Sequence, residues 1–338
     1  MSEGNLSTRL KEFKIYFCII KKAQNQMTLS REEIEKRVRD SYEIENNVLN
    51  AVPEPIVTVK TATYQHAPYI RDCIEGVLMQ QTSFPFEYII GEDFSTDGTR
   101  EIVFEYAKKY PELIRVITAD YNVGIKANSF RRNQATRGKY IALCEGDDYW
   151  TDPHKLQKQV DFLEENPVFS MCSHAVRIIY ENDWKGLKTN RFRKPIQVAT
   201  FEDILDYHFI PTNSLMFRNG LIKAWPDWLF SKCMISGDIL LELMLASHGK
   251  SYYMKEEMAT KRINGRGITA NEAFKENAAY FRFERYYYLN NYTQNKYKCL
   301  LVSKMVRILP GVVKKSLKRG KILLAIKHIL YLLRAFLK

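Results

Sequence analysis

The chain has 338 residues, of which 46% are hydrophobic and 27% charged, and its formal net charge is +12. This composition is typical of a globular protein with a sizeable core, and there is no uncharged apolar run long enough to predict a membrane span. Because 13 of the 51 basic residues lie from Arg285 to Lys338, where there is no Asp or Glu, the rest of the chain is nearly neutral and does not indicate nucleic-acid binding.

The cysteine and histidine patterns narrow the cellular setting. Six cysteines are scattered without a CxxC pair, and no two of the six histidines have a zinc-like spacing. The apolar run from Ile15 to Ile20 is shorter than the hydrophobic region of a secretory signal. These features predict reduced thiols in a cytoplasmic protein without a structural zinc.

The first 50 residues are polar and charged. Ser-Arg-Glu-Glu at 30–33 is typical of a capping box and predicts a helix that continues to Arg39. The apolar face of this helix is thin, so we expect it to pack on another element or on a partner. Pro-Glu-Pro at 53–55 marks the end of this extension.

From Ile56 onward, strands and helices alternate. Strands are predicted at 56–59, 86–90, 113–118 and 140–144, and helices at 68–81, 100–109, 125–136 and 154–165. Repeated strand–helix units with short connections predict a parallel, doubly wound α/β sheet. The pattern then loosens into strands near 168–180, 212–217, 251–254 and 258–263, and helices at 201–207, 239–247 and 272–290.

The predicted strand 140–144 ends in an acidic cluster, Glu-Gly-Asp-Asp at 145–148. Three carboxylates within four residues repel one another unless something positive lies beside them. Mg²⁺ or Mn²⁺ takes oxygen ligands, often one or two carboxylates together with phosphate oxygens of a substrate. Because open α/β sheets bind ligands at the carboxyl ends of their strands, the cluster predicts a cation site, with a solvated acidic turn as the alternative.

Two further loops leave the predicted sheet at the same edge. The loop 61–66 contains Tyr64, which can stack on a base, and the loop 91–99 contains Glu92 and Asp93, which can accept base or ribose hydrogens. Together with a metal on a diphosphate, these residues predict a nucleotide site. Each has a plainer interpretation alone, since Tyr64 could be a packed aromatic and Ser-Thr-Asp-Gly at 95–98 a turn with a helix cap.

Residues 56–150 resemble the nucleotide-binding half of a family 2 glycosyltransferase with the GT-A fold. The matching motifs are Thr-Tyr-Gln at 63–65, Glu-Asp-Phe-Ser-Thr-Asp-Gly-Thr at 92–99, Asn-Val-Gly at 122–124, Arg-Gly-Lys-Tyr-Ile at 137–141 and Glu-Gly-Asp at 145–147. The departures are Gln65 for Asn, Phe94 for Gly, and Glu92 and Glu145 for Asp. The two glutamates retain the charge of the family's aspartates.

The resemblance implies a role for particular residues. The implied nucleotide-sugar contacts are Thr61, Thr63, Tyr64, Glu92, Asp93, Asp97 and Arg262, and the implied metal ligands are Asp147, Glu145 and Asp148. It also implies that Asp238, which opens a helix, is the base that deprotonates the acceptor hydroxyl. The alternatives are a helix N-cap for Asp238 and a strand-edge surface position for Arg262.

The C-terminal stretch from Lys321 to Lys338 has a helical pattern of its own. One arc of the helix is basic and polar, and it comprises Lys321, Lys327, His328, Arg334 and Lys338. Aliphatic residues fill much of the other arc. Such a basic amphipathic helix suits the interface of an anionic membrane, and the alternative is packing on the domain or on a partner in a homodimer.

The predicted organisation is a helical extension (1–52), a GT-A domain (53–270) and a helical C-terminal region (271–338). The GT-A domain divides into a nucleotide-binding half (53–150) and an acceptor half (151–270). The resemblance implies an inverting, metal-dependent glycosyltransferase that moves a sugar, expected from a UDP-sugar, to a glycan or lipid-linked acceptor. We expect it to act in surface-polysaccharide biosynthesis, peripherally on the inner face of the cell membrane.

Two other functions are compatible with the same sheet. A sugar-nucleotide nucleotidyltransferase would need a Gly-rich loop with Arg or Lys after the first strand, and the loop 61–66 has neither feature. A catalytically degenerate GT-A scaffold at the membrane would not need the acidic cluster, which is intact here.

Overall fold

The computed structural model describes residues 29–181, 194–207, 209–223, 226, 237–264 and 272–337, without the side chains of 272–276. Within these residues, ten strands form one mixed sheet in the order β1-β4-β3-β2-β5-β9-β7-β10-β6, with β8 paired to β10. The strands are β1 (Tyr42–Glu43), β2 (Val57–Thr63), β3 (Phe86–Glu92), β4 (Ile114–Thr118), β5 (Tyr140–Leu143), β6 (Tyr149–Trp150), β7 (Phe169–Tyr180), β8 (Val198–Ala199), β9 (Met216–Arg218) and β10 (Lys250–Ile263). The α-helices are α1 (Arg31–Arg39), α2 (Val48–Ala51), α3 (Ile70–Leu78), α4 (Thr99–Lys109), α5 (Gly124–Gln134), α6 (Lys155–Glu165), α7 (Phe201–Asp206), α8 (Gly237–Ala246), α9 (Glu272–Tyr292), α10 (Lys298–Lys318) and α11 (Ile322–Leu337).

The strands β4, β3, β2 and β5 run parallel to one another, as predicted. The register pairs Thr63 at the end of β2 with Glu92 at the end of β3, so the loops that follow leave the same edge of the sheet. One face of these strands packs against α3, α4 and α6 in a continuous apolar core. On the other face, α5 approaches closely at Gly91, whose carbonyl accepts a hydrogen bond from the Asn128 side chain.

The other half of the sheet is mixed. β9 lies antiparallel between β5 and β7, and β7 pairs in parallel with β10. The strands predicted at 251–254 and 258–263 are one strand, β10, because register shifts between Met254 and Ala259 interrupt its alternation without ending it. The segment predicted as a strand at 212–217 begins with a 3-10 turn, Thr212–Ser214, before β9.

The N-terminal extension is part of the fold where it is described. The Ser30 hydroxyl accepts a hydrogen bond from the Glu33 amide at 3.0 Å and caps α1, which confirms the predicted helix start. The Glu33 side chain pairs with Arg37 instead of completing the capping box. Ile34 is fully buried with apolar residues that include Val123 and Phe130, so this helix packs on another element of the chain.

The three C-terminal helices pack on the mixed half of the sheet. They share one apolar core with α7, α8 and the strands β5, β7 and β9. The cysteines described, Cys73, Cys144, Cys172 and Cys299, are free thiols, as predicted. Across the described helices, none combines the length and the apolar character needed to cross a bilayer.

A buried carboxylate, Glu87, holds the start of the parallel strands together. It accepts hydrogen bonds from Thr58 on β2 at 2.7 Å, from Arg115 on β4 at 3.1 Å and from Arg137 at 2.6 Å. Glu87 is fully buried and Arg115 is nearly so. The carboxylate therefore neutralises guanidinium charge that has been removed from water.

Glu87→Gln is expected to lower the free energy of unfolding by roughly 3 kcal/mol, because removing one partner leaves uncompensated charge in the interior. Urea denaturation at neutral pH would measure the loss. The matched control is Glu164→Gln, since Glu164 pairs with Lys139 at the surface and its loss should cost less than about 1 kcal/mol. Equal effects of the two substitutions would contradict a special role for the buried network.

Candidate active site

The acidic loop after β5 lies directly against the loop after β2. The Gly146 amide donates a hydrogen bond to the Ala62 carbonyl at 3.0 Å. A Cβ added to Gly146 would lie 2.7 Å from Nδ1 of His66 and 2.8 Å from Oγ1 of Thr63. Only glycine fits between these side chains, so the glycine within the acidic cluster sets the distance between the two loops.

Gly146→Ala is expected to push these loops apart. Overpacking of this kind costs about 1–3 kcal/mol, and we expect nucleotide affinity to fall by about tenfold. Thermal unfolding and titration calorimetry with UDP and Mn²⁺ would measure both effects. Gly311→Ala is the matched control, because no atom lies within 4 Å of a Cβ at that position. Unchanged affinity in Gly146→Ala would show that the contact is not needed for binding.

The three acids of the loop have different surroundings, and Asp148 is the most enclosed. Its buried carboxylate accepts hydrogen bonds from the Arg262 amide at 2.8 Å and from Nζ of Lys261 at 3.3 Å. Burial raises the pKa of Asp148 to about 7, and the charge of Lys261 opposes that rise. Asp148 therefore anchors the loop to β10, and the chain itself supplies part of the positive charge that the cluster needs.

Glu145 and Asp147 are the acids open to a ligand. Within the described part of the chain, neither carboxylate accepts a hydrogen bond, and both side chains are partly exposed. Burial raises the pKa of Glu145, with Arg132 opposing the rise and Asp147 adding to it. Two partly desolvated carboxylates without donors suit a hard divalent cation that also binds diphosphate oxygens and water.

The chain itself would supply few further ligands to such a cation. Among the residues that the structure describes, no group of three or more His, Cys, Asp or Glu side chains converges on one point. A cation at Glu145 and Asp147 would therefore need further ligands from a substrate or from water.

Tyr64 and Asp93 lie beside this pair at the predicted edge. Tyr64 is 47% exposed, so its ring is accessible for stacking. Both carboxylate oxygens of Asp93 accept amide hydrogen bonds at the start of α5, from Val123 at 2.8 Å and Gly124 at 3.1 Å. Burial raises the pKa of Asp93 against these amides. Thr63 is buried, with its hydroxyl 3.3 Å from Nδ1 of His66.

Three of the residues predicted to contact the nucleotide make hydrogen bonds within the protein at this edge of the sheet. The Thr61 hydroxyl is buried and donates to the Cys144 carbonyl at 2.7 Å. Asp97 accepts hydrogen bonds from Thr99, at the start of α4, and from Ala67. These bonds give Thr61 and Asp97 a structural role.

Glu92 is the third, and its oxygens are also occupied. They accept hydrogen bonds from the amides of Phe94 and Ser95 and from the side chains of Arg100 and Thr118. Glu92 therefore shapes the turn that carries Asp93. Phe94 itself has a φ of 59°, and Gln65 has a φ of 58°, so these departures from the family motifs keep the left-handed backbone that Gly and Asn adopt most readily.

Arg262 is held from several sides. Its guanidinium pairs with Asp72 and with Glu181, donates to the Asp147 carbonyl at 3.2 Å and lies 4.4 Å from the Tyr149 ring centre. Its side chain is only 8% exposed. These contacts hold Arg262 against the acidic loop. A contact between Arg262 and the diphosphate remains a prediction.

Three cationic or titratable groups near the acids were not predicted from the sequence. Arg132 on α5 is buried, and its charge acts on Glu145. His66 is influenced by Asp147, and burial lowers its pKa. Lys261 is the third. Arg132 could have been found from the sequence, because Arg-Arg at 131–132 lies on the buried face of α5.

Asp238 stands at the start of α8 and is exposed, with one carboxylate oxygen accepting the Ile239 amide at 2.9 Å. Its negative charge contributes to the raised pKa of Glu145, so the structure brings Asp238 within electrostatic reach of the acidic loop. Ser236, which precedes α8, lies outside the described residues. Because α8 begins at Gly237, Asp238 lies in its first turn and not at the N-cap position. A base and a first-turn cap of the helix through the Ile239 amide both fit this position.

Known proteins share part of this sequence. An uncharacterized protein of Mycobacterium tuberculosis, Rv1520, is 39% identical over 217 residues, which cover 63% of this chain and 60% of that protein. The putative teichuronic acid biosynthesis glycosyltransferase TuaG of Bacillus subtilis is 29% identical over 225 residues, covering 65% of this chain and 83% of TuaG. The match thus spans about 60% of the length of the mycobacterial relative.

Solved structures share the fold. Staphylococcus aureus TarS 1–349 in complex with UDP-GlcNAc superposes with a TM-score of 0.52 at 14% identity, covering 80% of this chain and 88% of that one. The mannosyltransferase PcManGT from Pyrobaculum calidifontis, in complex with GDP-Man and Mn²⁺, gives 0.51 at 15% identity, covering 85% and 88%. These likenesses confirm the predicted GT-A fold.

The family itself is matched across both halves of the sheet. Residues 58–225 match the profile of Glycosyl transferase family 2, from β2 through β9. This segment contains nine of the eleven residues predicted to lie at the site, and the other two, Asp238 and Arg262, lie on α8 and β10. The chain therefore belongs to glycosyl transferase family 2.

Proposed function

We propose that the protein transfers a sugar from a nucleotide-sugar donor to an acceptor hydroxyl, with Mg²⁺ or Mn²⁺ held by Glu145 and Asp147. The observation that carries this proposal is the pair of carboxylates without hydrogen-bond donors after β5, in a loop that contacts the loop after β2, where the ring of Tyr64 is exposed. Family membership supports it, because the motifs that place these residues are the family's own.

The residues of the site divide the reaction between them. The bond from the sugar's anomeric carbon to the diphosphate breaks while a bond to the acceptor oxygen forms on the opposite face, so the configuration inverts. Asp238 takes the proton of the acceptor hydroxyl, a step typically worth about 10²–10⁴-fold. The cation, when bound, supplies Lewis-acid stabilisation of the departing diphosphate. Lys261 and Arg262 fix the acidic loop through Asp148.

The names of similar proteins support a more specific proposal for the donor and the acceptor. UDP-GlcNAc is bound by TarS and GDP-Man by PcManGT, and we propose a UDP-sugar here. The name of TuaG refers to teichuronic acid biosynthesis, which supports a glycan or lipid-linked acceptor in the assembly of a surface polysaccharide. The enzyme would then act at the inner face of the cell membrane.

A panel of UDP- and GDP-sugars, with and without Mn²⁺, tests the proposal. We expect one donor to raise the melting temperature only with the cation, since a ligand that binds the native state stabilises it. We also expect slow release of the nucleoside diphosphate from that donor. Formation of a nucleotide sugar from a nucleoside triphosphate and a sugar phosphate would favour the nucleotidyltransferase. Binding without release or transfer would favour the degenerate scaffold.

A further inference from the structure

The last helix, α11, turns its most apolar face toward solvent. Eight large apolar side chains on it are between 41% and 86% exposed: Ile322, Leu323, Ile326, Ile329, Leu330, Leu333, Phe336 and Leu337. Their spacing of three and four residues places them in one row along the helix, which we call the aliphatic row. A surface helix ordinarily buries such a face against the core, and a contiguous exposed patch of this kind marks an interaction site.

The opposite face of α11 attaches the helix to the domain. Ala325, His328 and Ala335 are buried, and Tyr331 stacks on Tyr287 of α9 with ring centres 4.2 Å apart. Lys327 forms a salt bridge with Glu284 of α9. The helix therefore packs on the domain through its small and polar residues and still leaves the aliphatic row open. Packing on the domain and membrane binding, which were alternatives for the sequence, are compatible in the structure.

The exposed charges on and beside α11 are basic. Arg334 lies on α11 and Lys321 directly precedes it, and the neighbouring helix α10 carries three more exposed basic residues, Arg307, Lys314 and Lys318. From Arg285 to the end of the chain there are 13 basic residues and no acidic ones. A second copy joined through this face would bring two such clusters together, whereas an anionic lipid surface complements them.

We propose that the aliphatic row is a docking surface for an anionic lipid bilayer, on which α11 lies in the plane of the interface. Because α11 packs along α10 and α9, only its outward side chains can enter the lipid, to a depth of about 5–10 Å. Through Ala335, α11 shares an apolar core with α8, and Asp238 lies in the first turn of α8. Docking would therefore hold the acceptor half at the surface where a lipid-linked acceptor lies, a consequence that rests on the proposed function.

Flotation of the full chain with vesicles tests the surface directly. We expect binding to vesicles of phosphatidylcholine with one quarter phosphatidylglycerol, weak binding to phosphatidylcholine alone, and release at high salt. Leu330→Ser with Leu333→Ser should weaken binding by about tenfold or more, because two apolar side chains that would enter the lipid are lost. The matched control is Leu49→Ser with Val168→Ser, which removes two aliphatic side chains that are 55% and 57% exposed elsewhere. Both variants should keep the wild-type melting temperature, since all four side chains are exposed.

Two results would overturn the inference. One is equal vesicle binding by the wild type and the Leu330/Leu333 variant. The other is that light scattering finds the wild type to be a dimer and the Leu330/Leu333 variant to be a monomer, while the wild type does not bind vesicles. Donor turnover measured without vesicles separates this inference from the proposed function. Vesicle binding without any donor turnover would support the docking surface and contradict the proposed transferase activity. Turnover without vesicle binding would support the transferase activity and contradict the docking surface.

Discussion

Asp147→Asn is expected to lower the rate of sugar transfer by about 10²–10³-fold, the usual cost of losing one group that stabilises developing charge. Asp147 is one of two carboxylates at the edge without a hydrogen-bond donor among the described residues, and an amide is a poorer ligand for a hard cation. The variant should also lose the increase in nucleotide affinity that Mn²⁺ gives the wild type. Initial rates across a Mn²⁺ series, with calorimetry of UDP binding, would measure both effects.

Two controls make this result specific. Asp161→Asn removes an exposed carboxylate on α6 and should change neither rate nor affinity. Asp148→Asn should act mainly on stability, since Asp148 is buried against Lys261. Wild-type transfer by Asp147→Asn, or the same Mn²⁺ dependence before and after the change, would remove Asp147 from the cation site.

Asp238→Asn is expected to lower transfer by about 10²–10⁴-fold while donor binding stays at the wild-type level. Asn and Asp are nearly equivalent at the start of a helix, so the substitution keeps the cap of α8 and removes only the base. Single-turnover transfer to an acceptor gives the rate, and calorimetry with the donor and Mn²⁺ gives the affinity.

The cap and the base can be separated further with Asp238→Ser, which also preserves a capping oxygen. If the base interpretation is right, both variants lose transfer and keep the wild-type melting temperature. If Asp238 acts only as a cap, both variants transfer sugar at nearly the wild-type rate.

The parallel half of the sheet, from β2 to β5, was predicted well because the sequence signals for its elements are local. Each strand there is followed by its own helix, and the apolar periodicities of both are short-range features of the sequence. The two-residue strands β1, β6 and β8 were not predicted, since they exist only through pairing with distant strands. β10 was split in two because its register shifts at Glu257 break the alternation that identifies a strand.

The position of the site was predictable, and the partners within it were not. Parallel strands place their following loops at one edge, and the loops that carry Tyr64 and Asp147 are in contact through the Gly146 amide and the Ala62 carbonyl. The sequence shows that the acids need positive charge but does not show which group provides it. Lys261 lies 113 residues from Asp148 in the chain, and only the folded sheet brings them into contact. Glu92 likewise carries a charge that would suit a nucleotide contact. Its carboxylate instead accepts hydrogen bonds from Arg100 on α4 and Thr118 on β4.

The contact between Asp148 and β10 has a consequence for how the two halves of the sheet respond to each other. The loop that we propose binds the donor is hydrogen-bonded to β10, a strand in the half of the domain that we propose binds the acceptor. If acceptor binding displaces that strand, the acidic loop moves with it, and its contacts with the donor's phosphates change. We therefore expect donor affinity and acceptor affinity to be linked, and reciprocal titrations of the two substrates would reveal that linkage as a mutual change in dissociation constant.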